Sequence, residues 1–142
     1  MKASRFALET VPKCSLWELA EREAHNHKWL LSERSGYDVG RDGLCDWSRR
    51  YWGIFCRYRR LDHLLGRRRI REFDDLSFGQ LCDPRVGRHP VVRFVLKHFA
   101  EDGWENLTFL VDAEKHGVSI PELCEALTLI DVNSVRFDPP WL

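Results

Sequence analysis

The sequence predicts a mainly α-helical fold, organised as a single helical domain over all 142 residues. Three observations support this prediction: two long segments repeat apolar residues every three or four positions, a short glycine-containing loop separates them, and three shorter helical segments follow. The long segments, about residues 16–34 and 42–65, are expected to form an antiparallel αα-hairpin because the loop between them is short. Residues 1–14 and 132–142 are expected to be extended.

The first helix of the hairpin is predicted to begin at Leu16. Ser15 precedes it and Glu18 follows three residues later, which is the capping-box pattern of mutual side-chain to backbone hydrogen bonds. The helix is predicted to end before Gly36, since residues 35–40 contain two glycines and an aspartate, which favour a turn. One face carries residues at spacings of three and four, namely Trp17, Ala20, Ala24, His27 and Leu31.

The second helix of the hairpin has the most regular pattern in the chain. Its apolar residues alternate spacings of three and four over three heptads, which is typical of a helix that packs along one side. This heptad stripe consists of Leu44, Trp47, Tyr51, Ile54, Tyr58, Leu61 and Leu65. Gly66 is predicted to stop the helix. The stripe suits either the core of a monomer or the seam of a dimer, and the sequence leaves both open.

The second half of the chain begins with an irregular acidic connector, residues 72–89, in which a short helix is expected at about 76–81. Pro90 suits the first turn of a helix, and Gly103 and Gly117 suit the ends of two helices. The three shorter helices are therefore expected at about 90–102, 105–116 and 119–130.

Residues 110–127 resemble a helix-turn-helix motif. The resemblance rests on that family's small, turn and apolar positions, here Ala113, Gly117, Val118 and Leu123. The second helix opens with a capping-box pattern at Ser119 and Glu122, but it carries Glu122 and Glu125 and no Lys or Arg. Such a helix repels phosphate, so a helical corner packed on the core is expected rather than a DNA reader.

Composition favours a protein of the cytoplasm. Lys and Arg together number 22, as do Asp and Glu, so the net charge of zero gives no overall attraction to a polyanion. The five cysteines are an odd number and widely spread, which favours free thiols in a reducing compartment. Residues 1–14 do not resemble a signal peptide, and no segment approaches the roughly 18 apolar residues of a membrane span. No membrane partner is expected.

An arginine-rich segment, residues 49–71, is the most unusual feature of the chain. A helical projection places Trp52 and several of these arginines on the face opposite the heptad stripe. Arginine forks bind phosphates and an exposed tryptophan can stack on a base, so this face suits a partner protein or a nucleic-acid backbone. The predicted binding residues are Arg49, Trp52, Arg59, Arg60, Arg67, Arg68 and Arg69, with Trp141 as a docking anchor near the C-terminus. The plainer interpretation is that the arginines pair internally, with the acidic connector and with glutamates of the first helix.

No catalytic residue, cofactor or metal ligand is predicted. Cys56 and His63 would lie about 10 Å apart on one helix, which is too far for both to bind one zinc ion. His27 lies on the apolar face of the first helix and is expected to be packed, with a hydrogen bond to a carbonyl or carboxylate, while His25 is expected to be exposed.

These observations rank three functional hypotheses. The first is a non-catalytic helical interaction protein, a small subunit or adaptor that binds another protein subunit or itself. The second is nucleic-acid binding through residues 49–71, driven by charge. The third is an enzyme, which would need a pocket that joins His27 or His63 to carboxylates from elsewhere in the fold.

Overall fold

The structure is a computed structural model that describes residues 11–139 and Trp141. In chain order its elements are β1 (Lys13–Cys14), α1 (Leu16–Ser35), α2 (Arg41–Leu64), β2 (Arg69–Ile70), α3 (Pro84–Gly87), α4 (Pro90–Glu101), α5 (Asn106–Asp112) and α6 (Ile120–Ile130). Short 3₁₀ helices lie at Asp75–Ser77, Gln80–Cys82, Glu114–His116 and Val132–Val135. The prediction of a mainly α fold, built on an αα-hairpin and followed by shorter helices, is confirmed.

Helix α1 begins and ends where the local signals predict, but its cap differs from the expected one. The Ser15 Oγ accepts a hydrogen bond from the Trp17 N–H. In place of Glu18, the carboxylate of Glu72 in the connector accepts hydrogen bonds from the Ser15 hydroxyl (2.6 Å) and the Leu16 N–H (2.9 Å). A carboxylate at a helix N-terminus also interacts favourably with the helix dipole. The connector therefore fastens the start of the hairpin.

The two long helices approach each other closely at Gly43 in α2. A Cβ atom at this position would lie 3.1 Å from the Cα of Lys28 in α1, so only glycine fits there without movement. Nearby, His27 of α1 hydrogen-bonds Asp46 of α2 at 2.7 Å, and His25 is exposed. Both histidines therefore have the surroundings predicted for them.

Helix α2 turns a different face to the core than the heptad pattern suggests. Its buried residues are Gly43, Trp47, Ser48, Trp52, Phe55, Cys56, Arg60, His63 and Leu64. Tyr51, Ile54 and Tyr58, the centre of the heptad stripe, are exposed. The prediction that the heptad stripe packs in the core of a monomer is therefore wrong for these three central residues. The buried row is hard to recognise in the sequence because one of its members is an arginine.

The buried apolar residues form two clusters, and α2 contributes to both. The first cluster joins α4, α5 and α6 to the end of α2 and contains Leu64, Val95, Phe99, Phe109, Leu123 and Ile130, among others. The second joins α1 and the first half of α2 to β2 and contains Leu16, Ala20, Trp47, Trp52, Phe55, Cys56 and Ile70, among others. Val135 packs against both clusters.

The two ends of the described chain lie on the second cluster. Lys13 and Cys14 pair in parallel with Arg69 and Ile70, a strand pair that the sequence pattern does not predict. Of the predicted extended segment 1–14, residues 1–10 lie outside the described residues. At the other end, Phe137 and Trp141 pack against the second cluster after the 3₁₀ turn at Val132–Val135, so the C-terminal segment is only partly extended.

The shorter helices follow the predicted order, with differences in detail. The expected helix at 76–81 is two 3₁₀ turns, and the predicted 105–116 helix is α5 followed by the 3₁₀ turn Glu114–His116. Ser119 makes no side-chain cap to α6, so the second capping box is wrong. Ala113 and Leu123 are fully buried while Glu122 and Glu125 are exposed, as expected for a corner packed on the core. Across the described ranges, no helix is both long and apolar enough to cross a membrane.

Candidate functional site

Two of the predicted binding residues, Trp52 and Arg60, are buried, so the expectation that they form an exposed face is wrong. Trp52 is 6% exposed, stacks on Trp17 at 5.6 Å between ring centroids, and donates its Nε1–H to the Phe137 carbonyl. Arg60 is 2% exposed. Both turn inward because α1, the connector and the C-terminal segment cover this side of α2.

The Arg60 guanidinium is bound inside the protein by neutral groups. Its Nε donates to the Ile130 carbonyl at 2.8 Å, and its Nη1 donates to the Ser77 hydroxyl at 3.0 Å. The guanidinium also lies over the Phe73 ring, 5.1 Å from its centroid. Burial lowers the pKa of Arg60, and nearby Asp131 and Asp74 counteract that effect.

Three further arginines among the predicted binding residues pair with aspartates. Arg59 and Arg68 both contact Asp62; the Arg59 Nε lies 3.0 Å from the carboxylate but is not aligned for a hydrogen bond. Arg69 pairs with Asp75, which also binds Lys13. The internal-pairing interpretation is therefore supported at the connector, whereas the expected pairs with glutamates of α1 are not seen between described residues.

The remaining predicted residues do not come together. Arg49 and Arg67 are exposed and form no ion pair within residues 11–139, but Arg49 lies in the first half of α2 and Arg67 beyond its last residue, with roughly 22 Å of helix between Arg49 and Leu64. Trp141 packs edge-on against Trp47 at 6.2 Å, and its carbonyl accepts a hydrogen bond from the Cys45 thiol. It therefore docks on the protein's own second cluster.

A groove lies between α1 and α2. Its volume is about 410 Å³. Four residues of α1 and six of α2 line it: Glu23, Asn26, His27, Leu30, Trp47, Tyr51, Ile54, Phe55, Tyr58 and Arg59. Four of the six α2 residues are aromatic.

Large apolar and aromatic side chains in the groove are close to half exposed. Leu30 is 50% exposed, Tyr51 42%, Ile54 44% and Tyr58 42%. Three of these four belong to the heptad stripe, so their positions were visible in the sequence although their exposure was not. Leu30 carried no sequence signal because it lies beside the predicted face of α1.

His27, which lines the groove, belongs to a polar network between the two helices. Asp46 accepts hydrogen bonds from His27 Nε2 at 2.7 Å and from Arg50 Nε at 3.0 Å. The hydrogen bond from His27 is the largest cause that lowers the pKa of Asp46. The His27 ring also meets Tyr51 edge-on. The His27–Asp46 pair joins α1 to α2, and the described residues that line the groove include no Ser, Thr or Cys that His27 could activate.

Cys56 and His63 do not provide a reactive pair either. Burial raises the pKa of the Cys56 thiol to about 12, so the nucleophilic thiolate does not form near neutral pH. His63 is fully buried, donates from Nε2 to the Asp74 carbonyl and accepts at Nδ1 from the Ile70 N–H. Within the described ranges, no three His, Cys, Asp or Glu residues are grouped so that they could hold a metal ion.

Comparisons of the chain with protein-family models, with curated proteins and with solved structures gave no match.

Proposed function

We propose that this chain is a non-catalytic helical interaction protein, a small subunit or adaptor, which binds a helix of a polypeptide partner in the groove between α1 and α2. The observation that carries the proposal is the half-exposed row of Tyr51, Ile54 and Tyr58, with Leu30 facing it from α1. Contiguous exposed apolar residues with a polar rim mark interaction surfaces more often than scattered ones do.

The chemistry of the groove suits a helix as its occupant. Tyrosines contribute strongly to interfaces because each combines a large apolar ring with a hydroxyl that can be hydrogen-bonded. Covering the exposed parts of Leu30 and Ile54 would stabilise a complex by about 1 kcal/mol each. A partner helix with apolar residues at spacings of three and four would match this row, as in other helix-in-groove complexes.

The test places a photo-reactive phenylalanine analogue at Tyr58 in the groove and, as a matched control, at Leu76. Leu76 is a 72% exposed apolar residue in the connector, outside the groove. We expect position 58 to cross-link in cells to one defined polypeptide and position 76 to give no comparable product. The purified partner should then bind the Ile54→Glu variant at least tenfold more weakly than the Leu76→Glu variant.

Equal cross-linking from positions 58 and 76 would contradict the proposal. So would a partner whose affinity does not distinguish Ile54→Glu from Leu76→Glu, because such a partner would bind elsewhere on the chain.

Nucleic-acid binding through residues 49–71 is the alternative. The observation in its favour is that Arg67, Arg68 and Arg71 are exposed where α2 ends, and that Arg67 and Arg71 form no ion pair with a described residue. The nucleic-acid alternative predicts that the chain binds a mixed-sequence oligonucleotide and that added salt weakens this binding. Changing all three arginines to Gln should abolish the binding. If the wild-type chain does not bind at low salt, or if the triple variant binds equally well, this alternative is wrong.

The proposed location is a reducing compartment such as the cytoplasm. The five cysteines are all free thiols, and Cys124 is exposed, which suits surroundings that keep thiols reduced.

A further inference from the structure

We infer that the occupant of the groove is a second copy of this chain, so that the heptad stripe of each α2 packs into the groove of the other copy. This inference rests on the proposed function, because it names the partner for the same surface.

The heptad stripe is the first argument. Residues 44–65 keep the alternating three-and-four spacing of a two-helix seam. The fold buries the opposite face of α2, through Trp52, Cys56, Arg60 and His63, and leaves the centre of the stripe exposed. Packing within the chain therefore does not explain why the central residues of this pattern are apolar or aromatic. Packing of the stripe against another helix does explain it.

Shape gives the second argument. Tyr51, Ile54 and Tyr58 line the groove themselves, so the side chains that would pack into the groove of a second copy belong to the same patch that receives them. A twofold axis places the same patch of two copies face to face, which is the arrangement of the commonest homodimers. Two hairpins joined in this way form a layer of four helices, a common solution for helices with an uncovered apolar face.

The available area is the third argument. A large aromatic side chain buries on the order of 200 Å² and Leu or Ile somewhat less, so exposure of 42–50% leaves about 80–100 Å² on each of Leu30, Tyr51, Ile54 and Tyr58. These four residues alone supply roughly half of the 800 Å² per partner that a standard interface buries. The polar residues that border them can supply the rest.

Charge favours a second copy over a strongly acidic or basic partner. The groove is lined by one carboxylate, Glu23 from α1, and one guanidinium, Arg59 from α2. Glu23 forms no ion pair with a described residue, and Arg59 contacts Asp62. A patch with one group of each sign can complement itself, and the net charge of zero means that two copies do not repel each other at long range.

The experiment measures the mass of the purified full-length chain by analytical ultracentrifugation over a range of protein concentrations. We expect a reversible monomer–dimer equilibrium. Ile54→Glu should raise the dissociation constant at least tenfold, while Leu76→Glu, which adds the same charge to an exposed apolar residue outside the groove, should change it less than twofold. Circular dichroism and a thermal melt establish that both variants fold.

A second measurement does not depend on the folding of Ile54→Glu. The purified chain with the photo-reactive residue at position 58 should give a covalent product of twice the chain mass, and the chain labelled at position 76 should not.

A chain that stays monomeric at the highest concentration overturns the inference, as does a dimer that Ile54→Glu does not weaken. The proposed function is tested separately: a monomer whose position 58 still cross-links in cells to a different polypeptide overturns the homodimer and leaves the interaction role standing. A monomer with no groove-specific cross-link overturns both.

Discussion

Arg60 shows how a single buried cation can hold separate parts of this fold together. The Arg60 guanidinium donates hydrogen bonds to the Ile130 carbonyl at the end of α6 and to the Ser77 hydroxyl in the connector. The same group lies over the Phe73 ring. A lysine could not make the same set of contacts, because its single ammonium group lacks the planar fork of the guanidinium.

We predict that Arg60→Ala lowers the free energy of unfolding by about 3 kcal/mol. The change removes the packed side chain and leaves the buried Ile130 carbonyl without its hydrogen-bond donor. Urea unfolding at neutral pH measures the effect. Arg67→Ala serves as the control, since it removes an exposed arginine and should change the free energy by less than about 0.5 kcal/mol. Equal effects at the two positions would mean that the Arg60 hydrogen bonds contribute little.

His63 makes the stability of the protein depend on pH. Burial is the main cause that lowers its pKa, and the Arg60 charge adds to the effect, while the Asp74 carbonyl and the charges of Asp74 and Asp75 oppose it. The histidine is therefore neutral in the folded protein at neutral pH, with Nδ1 accepting the Ile70 N–H. The unfolded chain binds the proton more readily than the folded one.

We predict that the free energy of unfolding falls as pH decreases below about 6.5, the ordinary pKa of histidine. The loss should continue until pH reaches the lowered pKa of the folded state. Asp46 and Asp75, whose pKa values are lowered in the fold, contribute a separate loss that begins only near their ordinary pKa of about 4. Urea unfolding at a series of pH values checks this. In the His63→Gln variant, the free energy of unfolding should fall less between pH 6.5 and 5 than it does in the wild-type chain. An equal fall in both proteins would mean that a group other than His63 causes it.

At the scale of elements, the boundaries of the hairpin were predictable and its packed faces were not. The Ser15 cap, Gly36 and Gly66 act through their nearest neighbours, so sequence alone locates the ends of α1 and α2. The buried side of α2 depends on segments distant in sequence, such as the connector and Phe137, which cover Trp52 and Arg60. For the same reason, the sequence pattern singled out Trp47, Tyr51 and Tyr58 of the groove but neither Phe55 nor the exposure of the two tyrosines.

The close approach of α1 and α2 gives a prediction for Gly43. In Gly43→Ala the new methyl group would lie 2.8 Å from Val39 Cγ2 and 3.1 Å from the Lys28 backbone, so the helices must move apart. Such overpacking costs about 1–3 kcal/mol, which exceeds the gain of up to about 1 kcal/mol from replacing glycine in a helix. We expect a lower free energy of unfolding, measured by urea or thermal denaturation.

Gly53 is the matched control on the same helix. A methyl group there would approach only the end of the Arg57 side chain, at 3.2 Å, and this side chain can move. Gly53→Ala should therefore leave the free energy of unfolding unchanged or raise it by up to about 1 kcal/mol. If both alanine variants stabilise the protein, the contact between α1 and α2 is looser than the structure indicates.

At the scale of the whole molecule, the two apolar clusters share structural parts. Helix α2 supplies Leu64 to the first cluster and Trp52 to the second, and Val135 packs against both. Arg60 adds a polar connection, since from near the end of α2 it donates a hydrogen bond to the last residue of α6. These shared residues favour the predicted single domain, because neither cluster can lose its packing without exposing residues that support the other.

We therefore predict that both clusters unfold in one cooperative transition. Fluorotryptophan labelling with fluorine NMR can follow both in the same sample, because Trp104 packs against the first cluster and Trp52 lies in the second. The two signals should give the same urea midpoint, and Arg60→Ala should shift both midpoints together. Separate midpoints would show two folding units and make the single-domain prediction wrong. A common midpoint that depends on protein concentration would in addition couple folding to self-association through the exposed stripe on α2.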